Sequence, residues 1–232
     1  MAVGTVVICC TAASAATVTG TVTYDGKVPN LKPLSMDADP VCASKHKAPV
    51  PSEMLKLGSS GNTMGNILVR VTGGLPEGKS YPPPKDPMVM DQDGCIYKPH
   101  VFVLQAGQPL KILNSDNLLH NVHALPKVNP QFNIAMPPNR KEAEHVFEKP
   151  EEPFMIKCDV HPWMTAYAMV VTNPFYAVTS EDGKFTIKDL PAGTYDIEAW
   201  HERLGKQTQK VTVGDADTKT VDFKFSAPAG AK

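Results

Sequence analysis

The stretch Gly183–Glu202, GKFTIKDLPAGTYDIEAWHE, alternates apolar and polar residues on both sides of a turn. Phe185 and Ile187 sit between Lys184, Thr186 and Lys188; Tyr195, Ile197 and Ala199 sit between Thr194, Asp196 and Glu198. A period of two sends successive side chains to opposite faces, so each run reads as a half-buried strand. Pro191-Ala192-Gly193 and Asp182-Gly183 supply the turns. The same texture extends outward. Downstream, Val211/Val213 and Val221/Phe223/Phe225 alternate. Upstream, ATVTGTVTYDG (16–26), GNILVRVTGG (65–74), HVFVLQAGQPLKILNSD (100–116), LLHNVHAL (118–125), AEHVFEK (143–149), PFMIKCD (153–159) and AYAMVVTN (166–173) read as strands broken by turns. Helical periodicity is scarce, and 22 Pro with 16 Gly suit many short strands. The expectation is an all-β chain of about a dozen strands. Residues 30–62 are too irregular to assign, and the Pro-rich run Tyr81–Pro87 marks a boundary.

At 232 residues the chain can bury a real core, as one large β domain or two small ones. A net charge of −1 gives no field to attract nucleic acid or an anionic membrane. The N-terminus carries an apolar run, Ala2–Ala13, followed by the small-x-small pattern Ala13-Ser14-Ala15. The run is too short to span a bilayer and reads as a signal peptide, 1–15, although no Lys or Arg precedes it. The alternative is a buried first strand. Export would place the protein in the periplasm or outside the cell after cleavage near Ala15. The tail, 227–232, is expected to be disordered.

Cleavage would remove Cys9 and Cys10 and leave Cys42, Cys95 and Cys158. In an oxidising compartment two of three cysteines tend to pair. If Cys158 binds a metal, the pair is Cys42–Cys95, a closure that stabilises by about 4 kcal/mol in the chain-entropy model. Free thiols, or a disulfide that uses Cys158, are the alternatives.

The run Cys158-Asp-Val-His161-Pro-Trp-Met164 brings a thiol, an imidazole and a thioether together. Two His, one Cys and a weak Met form the donor set of a blue copper site. The second imidazole would come from His120 or His123, which lie on opposite faces of one strand. Zinc and plain core packing are the rival readings. Met is a poor zinc ligand, which favours copper.

Residues 95–172 resemble the cupredoxins, and in the short gap between His161 and Met164 their amicyanin-like members; plastocyanin-like members have a longer gap. The resemblance rests on YKPHVFVLQAGQPLKILNSD, then HNVHA, then KCDVHPWMTAYAMVV. It implies a Greek-key β-sandwich with one type 1 copper on His120, Cys158, His161 and Met164, and Asn121 bonding across to the ligand loop. It also implies an electron exit at an exposed edge of His161 framed by Pro162, Trp163 and the 136–138 stretch. The connection PKVNPQFNIAMPPNRKEAEHVF (126–147) departs from the family, as do Cys95 and His100 ahead of the site. His100 and His123 are expected to be surface or hydrogen-bonded, with a second metal position as the alternative; His145 is expected to be exposed.

TSEDGKFTIKDLPAGTYDIEAWHE (179–202) resembles the carboxypeptidase regulatory-like (transthyretin-like) domain, a small antiparallel β-sandwich. That domain ordinarily opens with a strand like TVTGTVTYDG, which lies at the other end of this chain. The expected organisation is therefore discontinuous: 16–85 with 174–226 as the sandwich, and 86–173 as an inserted cupredoxin domain. Three consecutive modules are the alternative. Trp200, His201 and Glu202 are expected to pack against the neighbouring domain.

The function expected is one-electron transfer between redox proteins, such as a c-type cytochrome or a dehydrogenase, without catalysis. A multicopper oxidase or nitrite reductase would typically need His-x-His pairs, which the chain lacks. A copper carrier or a structural interaction module is the remaining class.

Overall fold

The computed structural model describes residues 15–59 and 61–227. The expected signal peptide, up to residue 14, and the tail from residue 228 lie outside the described residues. Two strands come first, β1 (Ala16–Asp25) and β2 (Leu68–Gly73), separated by a segment that carries α1 (Pro40–Ser44) and a 3-10 turn at Glu53–Leu55. Nine strands follow: β3 (Met88–Gln92), β4 (Tyr97–Lys98), β5 (Val101–Gln105), β6 (Pro109–Asn114), β7 (His120–Ala124), β8 (Phe132–Met136), β9 (Glu142–Val146), β10 (Glu151–Lys157) and β11 (Thr165–Val171). The last six are β12 (Tyr176–Val178), β13 (Lys184–Leu190), β14 (Gly193–His201), β15 (Gly205–Val213), β16 (Thr218–Thr220) and β17 (Phe223–Ser226). The protein is all-β.

These strands form two sandwiches. The central one pairs β5-β11-β10-β7-β8 in one sheet and β4-β3-β6-β9 in the other, drawn wholly from β3–β11. Between the sheets lie Phe102, Leu104, Leu110, Ile112, Val122, Phe147, Phe154 and Ile156. The other combines the two ends of the chain. β1 pairs with β13, β16 and β17, and β12-β2-β14-β15 form the facing sheet, around Val18, Val22, Val69, Phe185, Ile187, Tyr195, Ile197, Phe223 and Phe225. β1 meets β13 antiparallel but takes β16 and β17 as parallel neighbours. Gly20 in the middle of β1 is explained by crowding: a Cβ there would lie 1.9 Å from the Val221 carbonyl oxygen.

The two sandwiches share a third apolar cluster, Leu68, Val101, Val103, Met169 and Val171, flanked by Tyr167, Tyr176 and Trp200. This is why β5 reads VFVLQ without alternation: both of its faces are buried. Beside the seam, Arg70 Nη2 donates to Glu198 Oε1 at 2.7 Å and to Glu152 Oε1 at 2.5 Å. Tyr167 and Trp200 pack across it with ring centroids 5.6 Å apart and planes inclined at 59°. Among the described residues, no helix is long and apolar enough to cross a membrane.

Two strands appear that the sequence reading did not separate. β3 lies just past the Pro-rich boundary, and β8 runs through the connection that departs from the cupredoxin pattern. The unassigned segment also has a definite place. Met36 and Cys42 enter the core of the central sandwich, with Leu34 and Val50 packed against it. Residues 34–50 therefore pack on the central sandwich, not on the one to which their position in the chain assigned them. The Cys42–Cys95 disulfide fastens them there.

Candidate metal centre

β7 and the β10–β11 hairpin build the site. Lys157 of β10 pairs with His123 of β7, so the hairpin loop 158–164 begins beside His120 and Asn121. Inside the loop, Cys158 N–H donates to Met164 O at 3.1 Å and Met164 N–H to His161 O at 2.9 Å. These two bonds fold the loop so that Cys158, His161 and Met164 all turn inward. All three are at most 3% exposed, and His120 is fully buried.

The donor atoms of His120, Cys158 and His161 lie within 4.8 Å of one another. His120 Nδ1 faces His161 Nδ1 at 2.9 Å, and Cys158 Sγ lies 3.8 Å from His161 Nδ1. Each imidazole is held from behind by a carboxylate. His120 Nε2–H donates to Asp116 Oδ2 at 3.0 Å, and His161 Nε2–H donates to Asp39 Oδ2 at 3.1 Å. Because an ionised carboxylate only accepts, each Nε2 carries the proton and each Nδ1 presents a lone pair. Two buried lone pairs aimed at each other repel unless a cation or a shared proton lies between them.

The sulfur is prepared in the same way. Burial opposes ionisation of the Cys158 thiol, but the His120 imidazole and the amides of Asn121, His161 and Val160 bring it down to about 7. His161 N–H points at Sγ from 3.4 Å. Asn121 Oδ1 lies 3.3 Å from Sγ and also accepts Asp159 N–H at 2.7 Å. Asn121 itself is placed by its amide donating to Asn133 Oδ1 at 2.7 Å and by its backbone carbonyl accepting the Tyr97 hydroxyl at 2.5 Å. Burial pushes the Tyr97 hydroxyl up, so it remains a donor. Two nitrogen lone pairs, an ionisable sulfur and a buried thioether fit a soft or borderline cation such as copper.

The structure separates the two strand histidines. His120 points inward, whereas His123, one face over, is half-exposed and hydrogen-bonds Asp159 at 3.0 Å outside the cluster. His100 is elsewhere, at the seam between the sandwiches. It is 7% exposed, with Nε2 2.5 Å from Glu202 Oε1 and Nδ1–H donating to Thr165 O at 3.1 Å. Burial opposes its charge, but Glu202 outweighs it and raises the imidazole above its usual range. His145 is half-buried against Phe132 at 4.0 Å, in place of the expected exposure.

The expected exposed edge of His161 is absent. The residue is 3% exposed because α1 and the residue before it lie across it, and Met136 is also buried. Pro162 is exposed, while Trp163 is half-buried with its ring 5.1 Å from the His161 ring and Nε1–H donating to Cys95 O at 3.0 Å. Asp39, Asp116 and Tyr97 escaped the sequence reading. Asp39-Pro40 carried a signal in hindsight, an N-cap residue followed by proline at the first helical position.

A family model described as the carboxypeptidase regulatory-like domain matches residues 166–226. The match begins inside β11 of the central sandwich and ends in β17. No curated protein matches the chain. Among solved structures, a methionine-to-alanine mutant of amicyanin in its Cu(I) form is 18% identical, covers 37% of this chain and 82% of its own, with a TM-score of 0.33. A purple cupredoxin from Nitrosopumilus maritimus is 21% identical over 36% of this chain and 99% of its own, with a TM-score of 0.31. A copper-containing nitrite reductase from Thermus scotoductus is 18% identical over 43% of this chain, but the match spans only 25% of that enzyme, with a TM-score of 0.34. The chain is thus similar to the carboxypeptidase regulatory-like domain at residues 166–226 and, over little more than a third of its length, to cupredoxin structures.

Proposed function

We propose that the chain is a type 1 copper protein that carries single electrons between partner proteins and is not an enzyme. One copper is held by His120, Cys158 and His161, with Met164 as the weaker fourth donor. The observation that supports this most is the meeting of two imidazole Nδ1 atoms and one sulfur within 4.8 Å, each aimed there by its own hydrogen bonds. Bound copper would supply a one-electron couple on a soft thiolate and two imidazoles.

The residues of the chain provide the rest. Asn121 ties the ligand loop to β7 and keeps the sulfur in one place. Asp116 and Asp39 fix the imidazole tautomers, which raises ligand basicity. Burial of all four donors excludes water and limits rearrangement between oxidation states. Trp163 with Pro162 then forms the route outward, beside Val160, which is 46% exposed. A small apolar patch suits brief encounters with a redox protein such as a c-type cytochrome or a dehydrogenase.

The same reading divides the chain into a discontinuous regulatory-like sandwich, 16–85 with 174–226 but without residues 34–50, and a copper domain, 86–173, on which those residues pack. It also sends the protein to the periplasm or outside the cell after cleavage near Ala15. The Cys42–Cys95 disulfide supports an oxidising compartment.

The test is to add Cu(II) to metal-free protein and record the visible spectrum. An intense thiolate-to-copper band is expected, lost in Cys158→Ser and His120→Ala and kept in His123→Ala. Stoichiometric zinc with no such band would overturn the reading.

A further inference from the structure

The carboxylates behind the two imidazoles are tied to one cystine. Asp39 Oδ2 accepts His161 Nε2–H, while its Oδ1 caps α1 by accepting Val41 N–H at 2.9 Å and Cys42 N–H at 3.2 Å. Cys42 is bonded to Cys95. Cys95 N–H donates to Asp116 Oδ2 at 2.6 Å, the oxygen that accepts His120 Nε2–H. Atoms of Asp39, Cys42 and His161 lie within 4.8 Å of one another, and so do those of Cys95, Asp116 and His120. The same segment sends Lys45 Nζ to Asp116 Oδ1 at 3.0 Å.

We propose that Asp39 is a positioning residue for His161, and that the Cys42–Cys95 bond holds it in that role. Three observations carry this. First, Asp39 is the hydrogen-bonding partner of His161 Nε2, so it decides which ring nitrogen faces Cys158 and His120. Second, the contact joins residues 122 apart in the chain, and residues 34–46 pair with no sheet. The cystine fastens them over the site covalently, beside the buried Met36 and the Lys45–Asp116 ion pair. Third, Asp39 spends one oxygen on the helix cap and the other on the imidazole, so the turn of α1 and the orientation of His161 are set together. A carboxylate on the far nitrogen makes the imidazole a stronger donor and favours the higher-charged state of a bound metal. It also closes the edge through which the imidazole would otherwise meet solvent or a partner.

The metal-related part of this inference rests on the copper reading; the tautomer part does not. The test uses the full chain, with its disulfide intact in every variant but the one that removes it. Asn is a good helix cap, so Asp39→Asn keeps α1 while removing the charge and the oxygen that accepts His161 Nε2–H. In copper-loaded protein, Asp39→Asn is expected to shift the reduction potential to more positive values and to weaken Cu(II) binding about 10- to 100-fold. Thermal unfolding of the metal-free variant is expected to match that of the parent. In metal-free protein, imidazole nitrogen NMR is expected to show His161 as the Nε2–H tautomer, and a mixture of tautomers in Asp39→Ala. The double variant Cys42→Ser/Cys95→Ser should reproduce both the mixture and the positive shift. An unchanged potential in Asp39→Asn, or a His161 that carries its proton on Nδ1 in the parent, overturns the proposal. A protein that takes up no copper sinks the copper reading alone, and the tautomer measurement then decides the role of Asp39.

Discussion

The side-chain oxygen of Asn121 accepts the backbone N–H of Asp159 at 2.7 Å, fastening the ligand loop to the strand that carries His120. Asn121→Ala leaves that amide without its partner and frees the loop between Cys158 and Met164. The expected cost is about 0.5–1.5 kcal/mol of stability, the net contribution of one part-buried hydrogen bond. Chemical denaturation measures it, and hydrogen exchange should show lost protection at Asp159 before the residues of β10.

Acid should loosen the connection between β7 and β8 first. Burial works to raise the Glu151 carboxyl, but the amides of Asn129, Lys127 and Val128 that donate to it hold it below the ordinary glutamate value. A folded-state value below the unfolded one means that the carboxylate stabilises the fold above pH ~4.5, and that this contribution is lost as pH falls through the lower folded value. Stability measured from pH 6 down to pH 3 should fall less steeply in Glu151→Gln than in the parent. Equal slopes would show that the carboxylate has no such role.

The shared seam should be as sensitive as a single domain's core. Met169 is fully buried there between Leu68, Val101, Val103 and Val171. Met169→Ala should cost about 2–5 kcal/mol. If the sandwiches unfold together, one denaturant transition shifts as a whole; two separate transitions would show that the seam does not couple them.

Removing the cystine should cost more than removing any single hydrogen bond. It closes a span of 53 residues, for which the chain-entropy model gives about 4 kcal/mol. Thermal unfolding of Cys42→Ser/Cys95→Ser against the parent checks the figure.

What could be read from the sequence follows what has a period. β13 and β14 bury one face each, so Phe185/Ile187 and Tyr195/Ile197/Ala199 announce themselves. Alternation also separated His120 from His123, since neighbours on a strand face opposite ways. Residues 34–46 have no period because no sheet holds them; a covalent bond and side-chain contacts to distant residues do. For that reason the contact between Asp39 and His161, and with it the covered edge of His161, was invisible until the chain was folded. β8 was hidden by its surroundings: only five residues long, it sits among Pro and Asn with two of its residues half-buried, two exposed and only Met136 buried.

The first strand has to wait. Apart from one bridge at Thr63, every pairing partner of β1 lies at residue 184 or later, whereas β3–β11 pair only among themselves. Local pairings close at lower entropic cost than distant ones. As the chain emerges N-terminus first, its middle can therefore assemble while both flanks are still open. The sandwich that joins both ends of the chain is then the last part to form, closed by the final strands beside a central sandwich already in place.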